Sequence, residues 1–249
     1  MAIALRDSTS NSGGDGANVA VDLTGIASLA EDDIVILAYE IADNAFTNHT
    51  MAIAVGTGWT KIADLWDRAT YDSNFGLFWK LMGATPDTSV TVTGTADANS
   101  SIGAVAMAFS GVDQTTPFDV TTTTDTGSGT ADADPPSINH NNPAGVVTVI
   151  AAGAPHTRGA GATFTMPTGY VTNNEQITGD DNEDAIVAIG YDASPSDPED
   201  PGALAFSNDN AGFAWCAATM ALRPAASGLA AVLGFTITLK AFDKEIDVP

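Results

Sequence analysis

Cysteine is almost absent from this sequence. The single residue, Cys216, excludes a disulfide within the chain, so the fold must be held together by packing alone. Cys216 lies inside an apolar segment, where we expect it to serve as a small core side chain.

Basic residues are also scarce. The chain has 8 Lys and Arg against 31 Asp and Glu, which gives a formal net charge of -23 at pH 7. Because phosphate groups are bound mainly by Lys and Arg, we expect neither nucleic acid nor an anionic membrane as a partner. The acidic surface favours solubility instead.

Long hydrophobic runs are missing as well. No segment approaches the roughly 20 consecutive apolar residues of a membrane-spanning helix. The first residues lack the basic region and the apolar run of a signal peptide. These features predict a soluble protein made in a cytoplasm.

Strand patterns dominate what is present. No span sustains the 3.6-residue apolar period of a helix, and short apolar or alternating segments follow one another with turn residues between them. From Ile102 to Phe109 every position is apolar or Gly, as in a strand covered on both faces, and Phe213 to Leu222 has a similar composition. The sequence predicts an all-β, jelly-roll-like antiparallel sandwich.

Two related halves are indicated by an internal repeat. Three pairs of segments match in the same order at a separation of roughly 112 residues, although chance matches in an all-β chain are the alternative. The pairs are residues 106–108 with 219–221, residues 34–38 with 146–150, and Gly58-Trp59 with Gly169-Tyr170. Each half would then contain a core strand, a Gly-aromatic turn and a closing core strand.

The predicted organisation is a sandwich over residues 1–224 and an extension over 225–249. Residues 7–16 are expected to form an opening loop, and the halves are expected at about 17–120 and 143–224. The connection between them is rich in Thr, Asp and Pro and is either an interdomain linker or a surface crossover.

The extension contains one more predicted strand. Residues 225–234 are mostly small, which predicts a flexible spacer, and residues 235–242 then alternate between apolar and polar side chains. Because the preceding domain is already complete, we expect this strand to add to a sheet of another subunit. The predicted assembly residues are Phe235, Ile237, Leu239 and Phe242.

Several short motifs resemble those of a known group of proteins. They are Gly58-Trp59, residues 78–80, residues 108–113, residues 117–119, and Trp215 with residues 221–224. Over roughly residues 17–224 the chain resembles jelly-roll-like β-sandwich proteins that tailed-phage and prophage genomes encode among their virion structural genes. The resemblance implies a non-enzymatic virion component, such as a capsid decoration or an accessory head or tail subunit. Its partners would be other copies of itself and other virion proteins.

No catalytic or cofactor-binding pattern is evident. His49, His140 and His156 lie in loop-like sequence without the spacing of a zinc site, so we interpret them as surface or turn residues. A nucleophile elbow and a P-loop are both missing. Residues 180–184 and 197–200 offer oxygen ligands for calcium, but a solvated acidic loop is the simpler interpretation.

Aromatic residues support an alternative function. On a sandwich surface they could stack on sugars, and Trp66 and Tyr71 are the candidates for a glycan-binding module. Trp59 and Tyr170 occupy equivalent places in the two halves, which favours core and turn packing for both. A glycan-cleaving enzyme would need two carboxylates across a cleft, and no pair stands out in the sequence.

Overall fold

The computed structural model describes residues 1–14, 16–43, 46–69, 71–94, 100–129, 132–141, 144–157, 163–177, 183–206 and 213–226. Within these ranges all the regular secondary structure is strand except for one 3-10 turn at Leu23–Gly25, and the prediction of an all-β sandwich is confirmed. No helix in this part of the chain is long and apolar enough to cross a membrane. The strands are β1 Ala4–Gly14, β2 Val19–Asp22, β3 Ile34–Asp43, β4 Ile53–Val55, β5 Thr60–Arg68, β6 Asp72–Leu81, β7 Ser89–Val92, β8 Ser101–Ser110, β9 Thr123–Gly129, β10 Val147–Thr157, β11 Phe164–Thr165, β12 Val171–Ile177, β13 Glu183–Asp192, β14 Ala205–Phe206 and β15 Phe213–Leu222.

Two five-stranded antiparallel sheets form the centre of the molecule. The N-sheet has the order β1-β8-β3-β6-β5, and the C-sheet has the order β12-β13-β10-β15-β9. A small sheet of β2-β7-β4 belongs to the first half of the chain, and the pair β11-β14 belongs to the second. Each half therefore contributes one large sheet and one small sheet.

The two large sheets repeat the same strand pairing. In the N-sheet Ile34 of β3 lies opposite Phe109 of β8, and in the C-sheet Val147 of β10 lies opposite Leu222 of β15. The edge strands also match, because β5 has an irregularity between Lys61 and Ala63 and β12 has one at the corresponding position. A shared bulge at one position is a specific feature of a strand pair, so the predicted relation between the halves is confirmed.

One detail of the predicted repeat is wrong. The sequence comparison places Ile34 on Val146, whereas the pairing makes Val147 its counterpart. Ile34 and Val147 both belong to the cluster between the large sheets, while Val146 lies in a separate small cluster. A shift of one residue moves a strand's side chains to its other face, and two apolar-rich strands give little sequence signal against such a shift.

The large sheets pack face to face around a central apolar cluster. Strand β3 lies across from β10, β8 across from β13, and β6 across from β15, as in two like units related by an approximate two-fold axis. The buried members of this central cluster are Ile34, Ile36, Ala38, Ala63, Phe75, Leu77, Val105, Met107, Phe109, Val112, Val147, Val149, Ala151, Val187, Ile189, Cys216, Ala218, Met220 and Leu222.

A second apolar layer covers the outer face of each large sheet. In the first half, Val35, Leu37 and Tyr39 point away from the central cluster and pack with Val90 and other residues of the small sheet. In the second half, the outward side chains of β10 and β13 pack with Phe164 of β11 and with Leu204 and Ala133. Because both faces are covered, the middle strands have the nearly continuous apolar sequences that were noted for residues 102–109 and Phe213–Leu222.

Two segments that the sequence predicts as loops are strands. Residues 7–14 belong to β1, which pairs with β8 along its whole length, and Thr123–Gly129 form β9 at the edge of the C-sheet. Both segments consist mainly of Ser, Thr, Gly and Asn or Asp, which have turn-like composition and no apolar alternation. Their strand structure comes from the neighbouring strand that they pair with.

The last described residues, up to residue 226, lie at one corner of this sandwich. Phe118 bridges to Leu222, and the amide of Ala225 donates to the carbonyl of Gly111 at 2.8 Å. The amino group of Met1 donates to the carbonyl of Ala225 at 2.7 Å. The predicted assembly residues Phe235, Ile237, Leu239 and Phe242 lie outside the described residues.

Candidate functional site

Three of the motif segments, residues 108–113, 117–119 and 221–224, meet at this corner. The Arg223 Nε donates to Asp119 Oδ1 at 3.1 Å, and its Nη1 donates to Thr116 Oγ1 at 2.9 Å. The Asp113 carboxylate accepts the amides of Thr115 and Thr116, and these bonds lower its pKa. The motif residues thus close the connection between the two halves, which is a structural role.

A buried carboxyl group lies between the two large sheets. Glu40 of β3 is fully buried, and its Oε1 accepts the amide of Asn74 at 3.1 Å. Its other oxygen faces Gly153 of β10, where an added Cβ would overlap the carboxyl group. Burial, with a smaller contribution from the nearby Asp72, raises the pKa of Glu40 well above 4.5. Burial therefore favours the protonated, neutral form of Glu40 between the halves.

Cys216 lies beside this carboxyl group. Its Sγ is 3.9 Å from the carbonyl oxygen of Ser73, and the Ser73 hydroxyl donates to the carbonyl of Gly153 at 3.3 Å. Burial raises the pKa of the Cys216 thiol well above 9.0, so the thiolate needed for nucleophilic chemistry is disfavoured. The predicted core role of Cys216 is confirmed.

The two predicted glycan contacts lie at one end of the β5-β6 hairpin but on different faces. The Trp66 indole donates to Asp72 Oδ2 at 3.2 Å, and Trp66 pairs with Asn74 on the face turned away from the C-sheet. The Tyr71 ring instead contacts Phe213 of β15 in the C-sheet, with 5.0 Å between ring centroids. Both side chains are half-buried, and they do not form one flat stacking surface.

An exposed pair lies close to these residues. The Phe46 ring is 37% exposed, and the Arg68 guanidinium carbon lies 4.6 Å from its centroid. Together with Trp66, Tyr71 and Phe213, these residues define what we call the aromatic end of the molecule. A guanidinium beside partly exposed rings can contact a polar ligand such as a sugar.

Tyr170 belongs to a buried polar network. Its hydroxyl donates to Glu199 Oε1 at 3.0 Å and lies 2.9 Å from Thr148 Oγ1. Glu199 Oε2 accepts both the amide and the hydroxyl of Ser196 at 2.8 Å, which ties the 196–199 loop to β10. Burial raises the pKa of Tyr170, so the phenol stays neutral. The prediction that Tyr170 serves in packing is confirmed.

The Gly-aromatic turns of the two halves have the same backbone conformation. Gly58 has φ +77° and Gly169 has φ +97°, values that favour glycine, and an aromatic residue follows each. Trp59 packs half-buried against the outer cluster of the first half, as Tyr170 does in the second. Only the second aromatic carries a polar network, and nothing in the sequence indicates Glu199 as its partner.

Of the two roles expected for His140, a surface or a turn residue, the surface role is wrong, while the residue does lie outside the strands. Its side chain is buried, and its Nε2 lies 2.7 Å from the carbonyl oxygen of Ser196. The backbone amide of His140 donates to Asp197 Oδ1 at 3.3 Å. His140 therefore holds the same loop as Tyr170 from its other side. His49 is half-buried, and the side chain of His156 lies outside the described part.

The acidic segments do not assemble a metal site in the described residues. No three His, Cys, Asp or Glu side chains are grouped there as metal ligands. Residues 180–182 lie outside the described part, and Asp184 is not in a solvated loop but buried on β13. Glu199 and Asp197 are engaged in holding the 196–199 loop.

No protein family, curated protein or solved structure matches this chain. The function proposed below is therefore drawn from the chain's own residues and from the resemblance of its corner motifs.

Proposed function

We propose that this protein is a non-enzymatic structural subunit of a tailed-phage virion, present in many copies as a capsid decoration or an accessory head or tail subunit. The observation that carries the proposal is the corner at residues 111–119 and 221–225. There the resembling motifs close the two-sheet sandwich. The sequence beyond the described residues contains a segment that is predicted to have one apolar face. Such a segment must find a sheet to cover that face.

The polar groups of the interior support a structural role. Glu40 is a neutral acid covered by Gly153, Cys216 is a buried neutral thiol, and Tyr170 is bound on both sides by Thr148 and Glu199. Each of these groups satisfies a neighbour inside the fold. Their arrangement serves packing between and within the halves.

The tail strand, residues 235–242, is the proposed link between copies. Phe235, Ile237 and Leu239 share one face, and each would contribute about 1.5–3 kcal/mol when fully buried in a neighbouring sheet. Removing residues 225–249 should leave a folded domain that no longer assembles. Sedimentation velocity and circular dichroism of the truncated protein test this, and unfolding or unchanged assembly would contradict it.

Labelled particles test the virion location. Gold-conjugated antibodies against this protein should decorate purified particles of the phage or induced prophage that encodes it, at many sites on the head or tail. Antibody against an abundant cytoplasmic protein of the host serves as the control. Particles that bind no more of the first antibody than of the control would contradict the proposal.

A glycan-binding module of a virion or cell surface is the second candidate. It is favoured by the aromatic end, where Phe46 and Arg68 are exposed beside Trp66 and Tyr71. Retention on a glycan array should weaken on Trp66→Ala or Tyr71→Ala. The melting temperature of each variant must be checked, because Trp66 also bonds to Asp72. Retention that survives both changes in folded protein would remove these residues from the candidate site.

A further inference from the structure

The repeat assigns the tail strand a counterpart in the described structure. After β8, residues 111–122 carry the chain to the C-sheet, where β9 begins at Thr123 and pairs with β15. The strand pairing aligns Met107 of β8 with Met220 of β15. At the same separation along the chain, Thr123, the first residue of β9, aligns with residue 236. The tail strand thus corresponds to β9.

The first strand of the chain corresponds to β9 as well. β9 is the edge neighbour of β15, and β1 is the edge neighbour of β8, the counterpart of β15. Gly127 of β9 lies opposite Trp215, and Gly13 of β1 lies opposite Ile102. By its place in the repeat, the tail segment therefore aligns with the two strands that pair beside β8 and β15.

The position beside β8 is now covered by serines. Ser8, Ser10 and Ser12 of β1 lie opposite Met107, Val105 and Gly103 of β8. Residues directly opposite each other in an antiparallel pair share a face, and Met107 and Val105 point into the central cluster. These three serines therefore lie on the face that borders the central cluster.

The alternation of the tail strand suits the same position. If the tail segment paired with β8 in the register that β9 has with β15, Phe235, Ile237 and Leu239 would occupy the positions of the three serines of β1. Their apolar face would then border Met107 and Val105, while Thr236, Thr238 and Lys240 would lie on the opposite face. Three large apolar side chains bury more apolar surface there than three serines do.

We propose that the position beside β8 is the docking site for the tail strand of a second copy, which replaces β1 there. The proposal rests on the tail being the link between copies, and it names the surface that receives it. Because the tail segment would take the register that β1 has beside β8, the replacement keeps the backbone pairing of that position and changes the side chains that line it. Each exchange joins one copy to the next.

Hydrogen exchange of the full chain tests the docking site. Amides of residues 7–14 that are protected by β8 should exchange at least about tenfold faster in assembled protein than in dilute, dissociated protein. Ile237→Asp should abolish this difference, because it places a charge on the docking face. Thr238→Asp is the matched control on the opposite face and should retain the difference.

The outcomes separate this proposal from the proposed role of the tail. If assembly depends on residues 225–249 but residues 7–14 stay protected, the docking site is wrong and the tail's role stands. If residues 7–14 exchange rapidly at every protein concentration, the tail of the same chain fills the position, and a second copy is the wrong occupant. If assembly does not depend on the tail, both proposals fail.

Discussion

Replacing Glu40 by Gln should remove a pH dependence from the stability of this protein. The carboxyl group is buried between the two large sheets, and burial raises its pKa well above 4.5. In the unfolded chain the same group titrates near its ordinary pKa. Between these two values the folded state holds a proton that the unfolded state has lost, so the free energy of unfolding falls as the pH rises.

The size of the effect follows from that proton. Each pH unit between the two pKa values lowers the free energy of unfolding by about 1.4 kcal/mol. Within that pH range the wild type therefore loses stability relative to Glu40→Gln by the same amount per pH unit. Gln has nearly the same shape and can still accept the amide of Asn74, so the variants should be similar below pH 4.5.

Urea unfolding at a series of pH values between 4 and 8 is the assay. Glu31→Gln is the matched control, because Glu31 is exposed and the same atoms are changed. Carboxyl groups with lowered pKa, such as Asp22 and Asp113, produce the opposite slope in all variants, so the difference between wild type and variant isolates Glu40. A difference that does not change with pH, or an equal change in Glu31→Gln, would refute the reasoning.

Three further substitutions test the packing of the halves. Gly153→Ala should lower the free energy of unfolding by about 1–3 kcal/mol in urea unfolding, because its Cβ would overlap Glu40; an unchanged midpoint would contradict this contact. Tyr170→Phe should cost about 1–3 kcal/mol by leaving Glu199 and Thr148 without the phenol, and equal stability of wild type and variant in the same assay would argue against the network. Arg223→Ala should cost about 1–3 kcal/mol by removing one partner of the buried Asp119 carboxylate, and Arg223→Lys should restore only part of it in thermal unfolding; full stability of the alanine variant would show that the corner bond is dispensable.

The fold class and the repeat could be predicted because apolar patterning is a local signal. Residues 102–109 and Phe213–Leu222 are apolar at nearly every position, and both are strands covered on two faces by separate apolar clusters. The turns at Gly58 and Gly169 could be matched because each needs glycine before an aromatic residue. Such features are visible in a few consecutive residues.

Edge strands and buried polar groups could not be predicted from the sequence. Residues 7–14 become a strand only because β8 pairs with them, and their Ser, Thr and Asn side chains give no period. Glu40 stands in an apolar strand, but its neutral state depends on Gly153 and Asp72, which are distant in sequence. The burial of His140 likewise depends on the loop at Ser196.

Quantitative mass spectrometry of purified particles tests the proposed function most directly. The proposal places the gene in a phage or prophage, so particles would be purified after induction of the strain that carries the gene. Peptides of this protein would then be counted against those of the most abundant virion protein. A virion subunit should be enriched in particles over the lysate and should be present in many copies per particle. A protein that is abundant in the lysate but absent from the purified particles would contradict the account.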